Sequence, residues 1–164
     1  ARERVFAEAA ARDGTRVALL RLNYSVEFRY GVLVDIAARV RRGEPVDVTT
    51  GHVNVIWQSD AVAHAIQSLA VAATPAAPIN VTGTDVLSVR ELAQRFGARF
   101  GRAATFLGEE APTALLNNAA RSHRLFGAPA TSVVTMIEWI AAWLESGGET
   151  WGKPTGFERR DGKF

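Results

Sequence analysis

The stretch Arg16-Val17-Ala18-Leu19-Leu20-Arg21-Leu22 narrows the fold of this chain more than any other feature. A strand with one wet face would alternate apolar and polar residues. This one is almost continuously apolar, as expected of a strand covered on both faces in a parallel sheet. On either side the period lengthens. Residues 2–12 read as an Ala-rich helix with Val5, Phe6 and Ala9 on one face, stopped by Asp13-Gly14. Residues 31–42 carry Val32, Ile36 and Val40 at four-residue spacing and close at Gly43-Glu44-Pro45. Short alternating runs at 46–49 and 53–57 read as strands. Ser59-Asp60 opens a helix to about residue 73, and Ile79-Asn80-Val81 is a further strand. Ser88-Val89-Arg90-Glu91 is a capping box for a helix reaching about Phe100. Residues 104–107 read as extended, 112–125 as one or two short helices ending at Gly127, and 132–145 as a helix striped by Val133, Met136, Ile137, Ile140 and Leu144. Trp139 and Trp143, one turn apart, are expected to be buried against the sheet. The polar segment 149–164 reads as an arm or loop. Strands alternating with helices predict an α/β fold. Only about two of these strands suit a parallel sheet, so the chain looks short of sheet for its 164 residues.

Charge and composition remove several function classes. Lys and Arg number 19 against 17 acidic residues, a net charge of only +2. The densest basic runs, Arg39-Val40-Arg41-Arg42 and Arg159-Arg160, have acids nearby and read as solvated ends, whereas a nucleic-acid footprint needs a basic patch or groove. No nucleic-acid partner is expected. No apolar stretch of about 18 residues exists to span a membrane. The absence of cysteine excludes disulfides and thiol nucleophiles. A soluble, cytoplasmic chain is the default expectation.

The catalytic templates are also missing. No GxGxxG or GxxxxGK[ST] pattern offers a phosphate-cradling turn. His52, His64 and His123 stand apart, without ligand spacing, so no metal site is expected. There is no G-x-S-x-G elbow, and Glu109-Glu110 reads as a solvated pair on a loop. No catalytic residue is assigned to this chain.

Four short blocks in order carry a resemblance. Leu20-Arg21-Leu22-Asn23-Tyr24-Ser25-Val26-Glu27-Phe28-Arg29-Tyr30-Gly31 resembles the loop after the sixth Rossmann strand of extended short-chain dehydrogenase/reductases, the NAD(P)-dependent epimerase/dehydratase proteins, with their Arg-x-x-Asn-x-Tyr-Gly-type motif. Val53-Asn54-Val55-Ile56-Trp57-Gln58-Ser59-Asp60-Ala61-Val62-Ala63 is similar to the family's strand, Asp and Val-Ala helix. Ile79-Asn80-Val81-Thr82-Gly83 with Leu87-Ser88-Val89-Arg90-Glu91-Leu92 resembles its Asn-Val block and capped helix. Ala120-Arg121-Ser122-His123-Arg124-Leu125-Phe126-Gly127-Ala128-Pro129 with the Trp139/Trp143 helix resembles its C-terminal Leu-Gly-x-Pro block. Together they cover nearly all of residues 2–145.

The resemblance implies the C-terminal, substrate-side portion of a Rossmann-like enzyme that uses NAD or NADP. Residues 1–30 would finish the Rossmann-like core, 31–148 would be mostly the substrate-binding region with an interleaved core strand and helix, and 149–164 the tail. The chain starts without Met, inside a helical pattern. The family's Tyr-x-x-x-Lys would fall just upstream of Ala1, and the Gly-rich turn farther upstream, in a missing N-terminal Rossmann half. This chain alone is therefore expected to be inactive and not to bind the dinucleotide by itself. Asn23, Tyr24 and Ser25 would border the nicotinamide, although Asn23 could equally just end its strand. Glu27, Arg29, Tyr30, His52, Asn54 and Trp57 are the substrate-side candidates. Aligning Arg21 puts Tyr24, not Asn23, where many members carry a substrate-binding Asn. Val53 stands where nucleotide-sugar members carry an Arg, and no Arg lies between Arg42 and Arg90. A less charged substrate than a nucleotide diphosphate sugar is therefore expected. Helix pairing in the family implies a homodimer. Two other classes stay open: a non-catalytic NAD(P)-binding regulator, and a stand-alone small-molecule or interaction domain.

Overall fold

The computed structural model describes residues 2–160; Ala1 and residues 161–164 of the expected tail lie outside the described residues. Helix α1 (Arg2–Asp13) leads to β1 (Leu19–Leu22), and β6 (Pro78–Val81) lies parallel to β1, with Leu20 beside Ile79 and Leu22 beside Val81. The chain between them runs through β2 (Ser25–Val26), α2 (Val32–Arg42), β3 (Val46–Asp47), β4 (His52–Val53), β5 (Ile56–Trp57), α3 (Gln58–Gln67) and a 3-10 turn (Ser68–Val71). After β6 come β7 (Leu87–Ser88), α4 (Val89–Arg99), β8 (Phe106–Leu107), α5 (Ala120–Phe126) and α6 (Val133–Glu145). The fold class is α/β, as expected. Short ladders join β2 to β5 and β3 to β8 in parallel and β4 to β7 antiparallel.

Local chemistry sets the boundaries. The Ser88 hydroxyl accepts from the Glu91 N–H at 3.3 Å, and the Ser132 hydroxyl accepts from Thr135 N–H at 3.1 Å, so α4 and α6 each start on a capped donor. Helix α2 stops at Gly43, left-handed at φ 73°, whose N–H returns to the Arg39 and Val40 carbonyls. The expected strand 53–57 is broken in two because it changes partner. Val53 belongs to the antiparallel β7 ladder and Ile56 to the parallel β2 ladder. Asn54 and Val55 turn the chain between them.

The main core lies where α2, α4 and α6 meet the short ladders. Leu33 and Ile36 of α2, Leu92 and Phe96 of α4, and Met136 and Ile140 of α6 are buried together. Each such side chain contributes about 1.5–3 kcal/mol by leaving water. A smaller cluster of Ile56, Ala61, Ile79 and Val81, with Val71 and Phe126, fastens α3 and α5 to β6.

Several expectations are corrected. Leu20 and Leu22 are 36% and 54% exposed. They share a face with Ile79 and Val81, but the α3–α5 cluster covers only β6, so β1 is not enclosed on both faces. Val5 and Phe6 are also exposed; α1 turns Ala10 inward and ties to the strand by a bidentate Arg21–Glu3 ion pair instead. Trp139 does pack edge-on against Trp57 of β5, and both it and Trp143 lie on Phe28, but Trp139 stays 43% exposed and Trp143 only partly buried, so neither is fully enclosed. Residues 112–119 are not helical; α5 begins only at Ala120. The tail is irregular but fastened. Phe157 is buried, Trp151 stacks on Tyr30, and Asp35 of α2 accepts from both the N–H and the hydroxyl of Thr155 at 2.7 and 2.6 Å.

Candidate functional site

Parallel α/β sheets present ligands at the carboxyl ends of their strands. Here those ends are Leu22 and Val81, and the residue after Leu22 is Asn23, whose N–H bonds the Val81 carbonyl at 3.0 Å. The Asn23 side chain is buried. Its amide donates to Asn54 Oδ1 at 2.6 Å and to the Leu115 carbonyl at 3.3 Å. Asn54, equally buried, donates to the Asn117 carbonyl at 2.7 Å. Asn117 then reaches the Arg21 carbonyl at 3.3 Å, and Asn80 donates to the Asn118 carbonyl at 3.0 Å. Side-chain amides thus take the backbone groups that a helix over 112–119 would have used for itself. That is why the segment stays extended across the strand ends.

The segment separates two clefts. One, of about 430 Å³, includes Asn54, Gly83, Thr84, Asn117 and His123. Gly83 is required here: its N–H bonds the Val55 carbonyl at 3.0 Å, and a Cβ would collide with that oxygen. The other, of about 250 Å³, is lined by Tyr24, Thr50, Thr113, Leu115 and Phe157 together with Arg159 and Arg160. Tyr24 is held left-handed at φ 39°. Burial, with Glu158 nearby, pushes its phenol pKa up, so it stays a protonated donor.

The nine sequence candidates do not converge. Asn23, Tyr24 and Asn54 meet at the strand ends. Ser25 is laddered beside Ile56. Glu27, Arg29 and Tyr30 form a tight turn against the tail, with Arg29 on Glu27 at 3.2 Å and 5.3 Å from the Trp151 ring centre. His52 is exposed on β4. Trp57 is packing, edge-on to Phe28 at 5.0 Å and to Trp139 at 5.4 Å. Sequence reasoning missed Thr113, Leu115, Asn117, Phe157, Arg159 and Arg160. The Asn117-Asn118 doublet inside an apolar stretch was the available signal, since Asn favours bonding to nearby backbone over helix. No local signal could place the tail arginines 130 or so residues from Tyr24 in sequence.

Behind β6, His64 is buried with its Nδ1 unpartnered, its ring centre 6.4 Å from that of His123. Burial, reinforced by His123, lowers its pKa. His123 is itself tied by Nε2 to the Thr82 carbonyl at 3.0 Å. Among the described residues, no helix is long and apolar enough to cross a membrane.

No protein-family model matches the sequence, and neither does any curated protein. Solved structures do match. The structure of RMD from Pseudomonas aeruginosa, complexed with NADPH, is 18% identical at TM-score 0.71, covering 88% of this chain and 54% of that one. UDP-glucose 4-epimerase from Thermotoga maritima, solved with UDP-glucose, is 14% identical at TM-score 0.71, covering 88% and 51%. UDP-glucuronic acid 4-epimerase from Bacillus cereus, in complex with NAD, is 13% identical at TM-score 0.73, covering 88% and 49%. This chain spans about half the length of each. Two of the three are named for UDP-sugars. The expectation of a less charged substrate rested on arginines absent from 43–89, but Arg159 and Arg160 of the tail line the cleft beside Tyr24, so that sequence argument does not hold. The chain has the fold of the NAD-dependent epimerase/dehydratase type that its sequence blocks resemble, over about half the length of those structures.

Proposed function

We propose that this chain is the substrate-binding, C-terminal part of an NAD(P)-dependent epimerase/dehydratase-like oxidoreductase. The observation that carries the reading is β1: a parallel strand paired on one side only among the described residues, with Leu20 and Leu22 open to solvent, next to a built polar site at its carboxyl end. Parallel strands are stable when covered on both faces. The unpaired edge and the Leu20–Leu22 face would take the dinucleotide-binding half, and Val5 and Phe6 on the outward side of α1 would take a second copy in a homodimer.

The residues here fit a dinucleotide only at its nicotinamide end, since no Gly-rich turn is present. When bound by the other half, the nicotinamide supplies or accepts a hydride at a hydroxyl or keto carbon. This chain's part is positional. Asn23 has its amide committed to Asn54 and Leu115, so it would shape the loop that borders the ring. The Tyr24 phenol, kept protonated by burial, would donate a hydrogen bond into the neighbouring cleft. Acid–base chemistry would belong to a Tyr-x-x-x-Lys pair upstream.

The test is the coding sequence upstream of Ala1, followed by activity of the whole protein. A Tyr-x-x-x-Lys in the preceding helix and a Gly-rich turn farther up are expected, with Tyr→Phe abolishing nicotinamide reduction. Absence of both motifs would overturn the enzymatic reading in favour of a non-catalytic domain.

A further inference from the structure

We propose that the cleft between Tyr24, Leu115 and Phe157 is an oxyanion site, where Arg159 and Arg160 of the C-terminal segment hold the carboxylate or phosphate of a small molecule whose remaining body is apolar. This deepens the reading of the strand ends as a substrate site and rests on it.

The arginines are delivered by a fastened strap. Thr155 is tied to Asp35, Phe157 is buried in the main core, and Glu158 pairs with Arg39 at 3.2 Å. These anchors at Thr155, Phe157 and Glu158 fix the chain just before Arg159 and Arg160, which line the cleft. A turn closed by Arg159 N–H on the Gly156 carbonyl at 2.9 Å completes the approach.

Arg160 is also aimed. Two of its N–H groups donate to Thr113, to the carbonyl at 2.7 Å and to the hydroxyl at 2.6 Å. A guanidinium has five donors, so three remain for a ligand. Around the neighbouring pocket the arginines are paired: Arg29 with Glu27, Arg39 with Glu158 and Arg42 with Glu44. Among the described residues no carboxylate pairs with Arg159 or Arg160. Both arginines line the same cleft, and an oxyanion seated there would accept charge-assisted hydrogen bonds from them. The rest of the cleft suits a compact body. Its volume of about 250 Å³ has room for an aromatic ring, its apolar lining includes Leu115 and the buried Phe157, and Thr50 and Tyr24 add polar groups.

The experiment is an NMR titration of the whole protein that contains this chain, with benzoate, phenyl phosphate and the neutral benzyl alcohol. Saturable shifts at Thr113, Leu115 and Phe157 are expected with both anions and not with the alcohol. Arg159→Gln, whose side chain makes no hydrogen bond to another described residue, should weaken the anions about tenfold or more, as loss of a charge-assisted bond does. Arg160→Gln should weaken them further and also perturb Thr113. Equal binding of the alcohol, unchanged anion affinity in both variants, or shifts mapping elsewhere would overturn the proposal. No step needs a dinucleotide. Anion binding without an upstream Tyr-x-x-x-Lys would therefore refute the enzymatic reading alone, and the converse would refute the anion site alone.

Discussion

Replacing Asn54 with alanine tests whether the asparagine network builds the site. The substitution removes the acceptor of the 2.6 Å bond from Asn23 and the donor of the 2.7 Å bond to the Asn117 carbonyl. Each net bond is worth about 1 kcal/mol, giving about 2 kcal/mol together, rising toward about 4 kcal/mol if the orphaned groups stay dry. The Asn23 side chain would keep only the 3.3 Å bond to the Leu115 carbonyl. With a urea dependence of about 2 kcal/mol per molar, the midpoint should fall by about 1–2 M. Hydrogen exchange adds the location: amides of 115–119 should exchange faster while α2 and α4 stay protected. A double-mutant cycle with Asn23→Ala should show coupling of about 1 kcal/mol between the two sites. Strict additivity, or a midpoint shift below about 0.3 M, would refute the claim that these amides hold the segment across the strand ends.

Other expectations follow from particular groups. Burial pushes the Asp35 pKa up despite its two bonds from Thr155. The native state therefore prefers the protonated form, and stability should fall as pH rises from the ordinary aspartate range through the raised native value; melts of Asp35→Asn should lose that slope. His64 behaves oppositely in acid. Its lowered native pKa means stability is present above about pH 6.5 and lost as pH falls through the native value, and His64→Phe should flatten this limb. Phe157→Ala should cost about 3–5 kcal/mol and expose residues 149–160 to limited proteolysis before the rest of the chain. Gly83→Ala forces a methyl against the Val55 carbonyl and should cost about 1–3 kcal/mol in a denaturant melt.

How much of this was legible follows from where each signal lived. Long periodic elements were readable: α2, α4 and α6 lie within a residue or two of their predicted ranges because local spacing and caps define them. Two-residue ladders such as β2 and β7 carry no periodicity to read, and β4 and β5 were merged because the change of partner at Asn54 is a tertiary event. The run through β1 suggested enclosure, but a strand's apolar content does not say which chain covers it. At the site, Asn23 and Asn54 were named from the resemblance of the blocks 20–31 and 53–63 to a family's loop and strand. Leu115, Asn117 and the tail arginines were not, because their roles come from contacts between residues about 47 to 136 apart in sequence, visible only once α2 and the strap are in place.

The central claim is that these residues are the substrate side of a larger dinucleotide-dependent enzyme. Native mass spectrometry of the source protein tests it most directly. The account predicts a subunit of about twice 17.7 kDa that retains one NAD or NADP. A subunit near 17.7 kDa with no dinucleotide would contradict it.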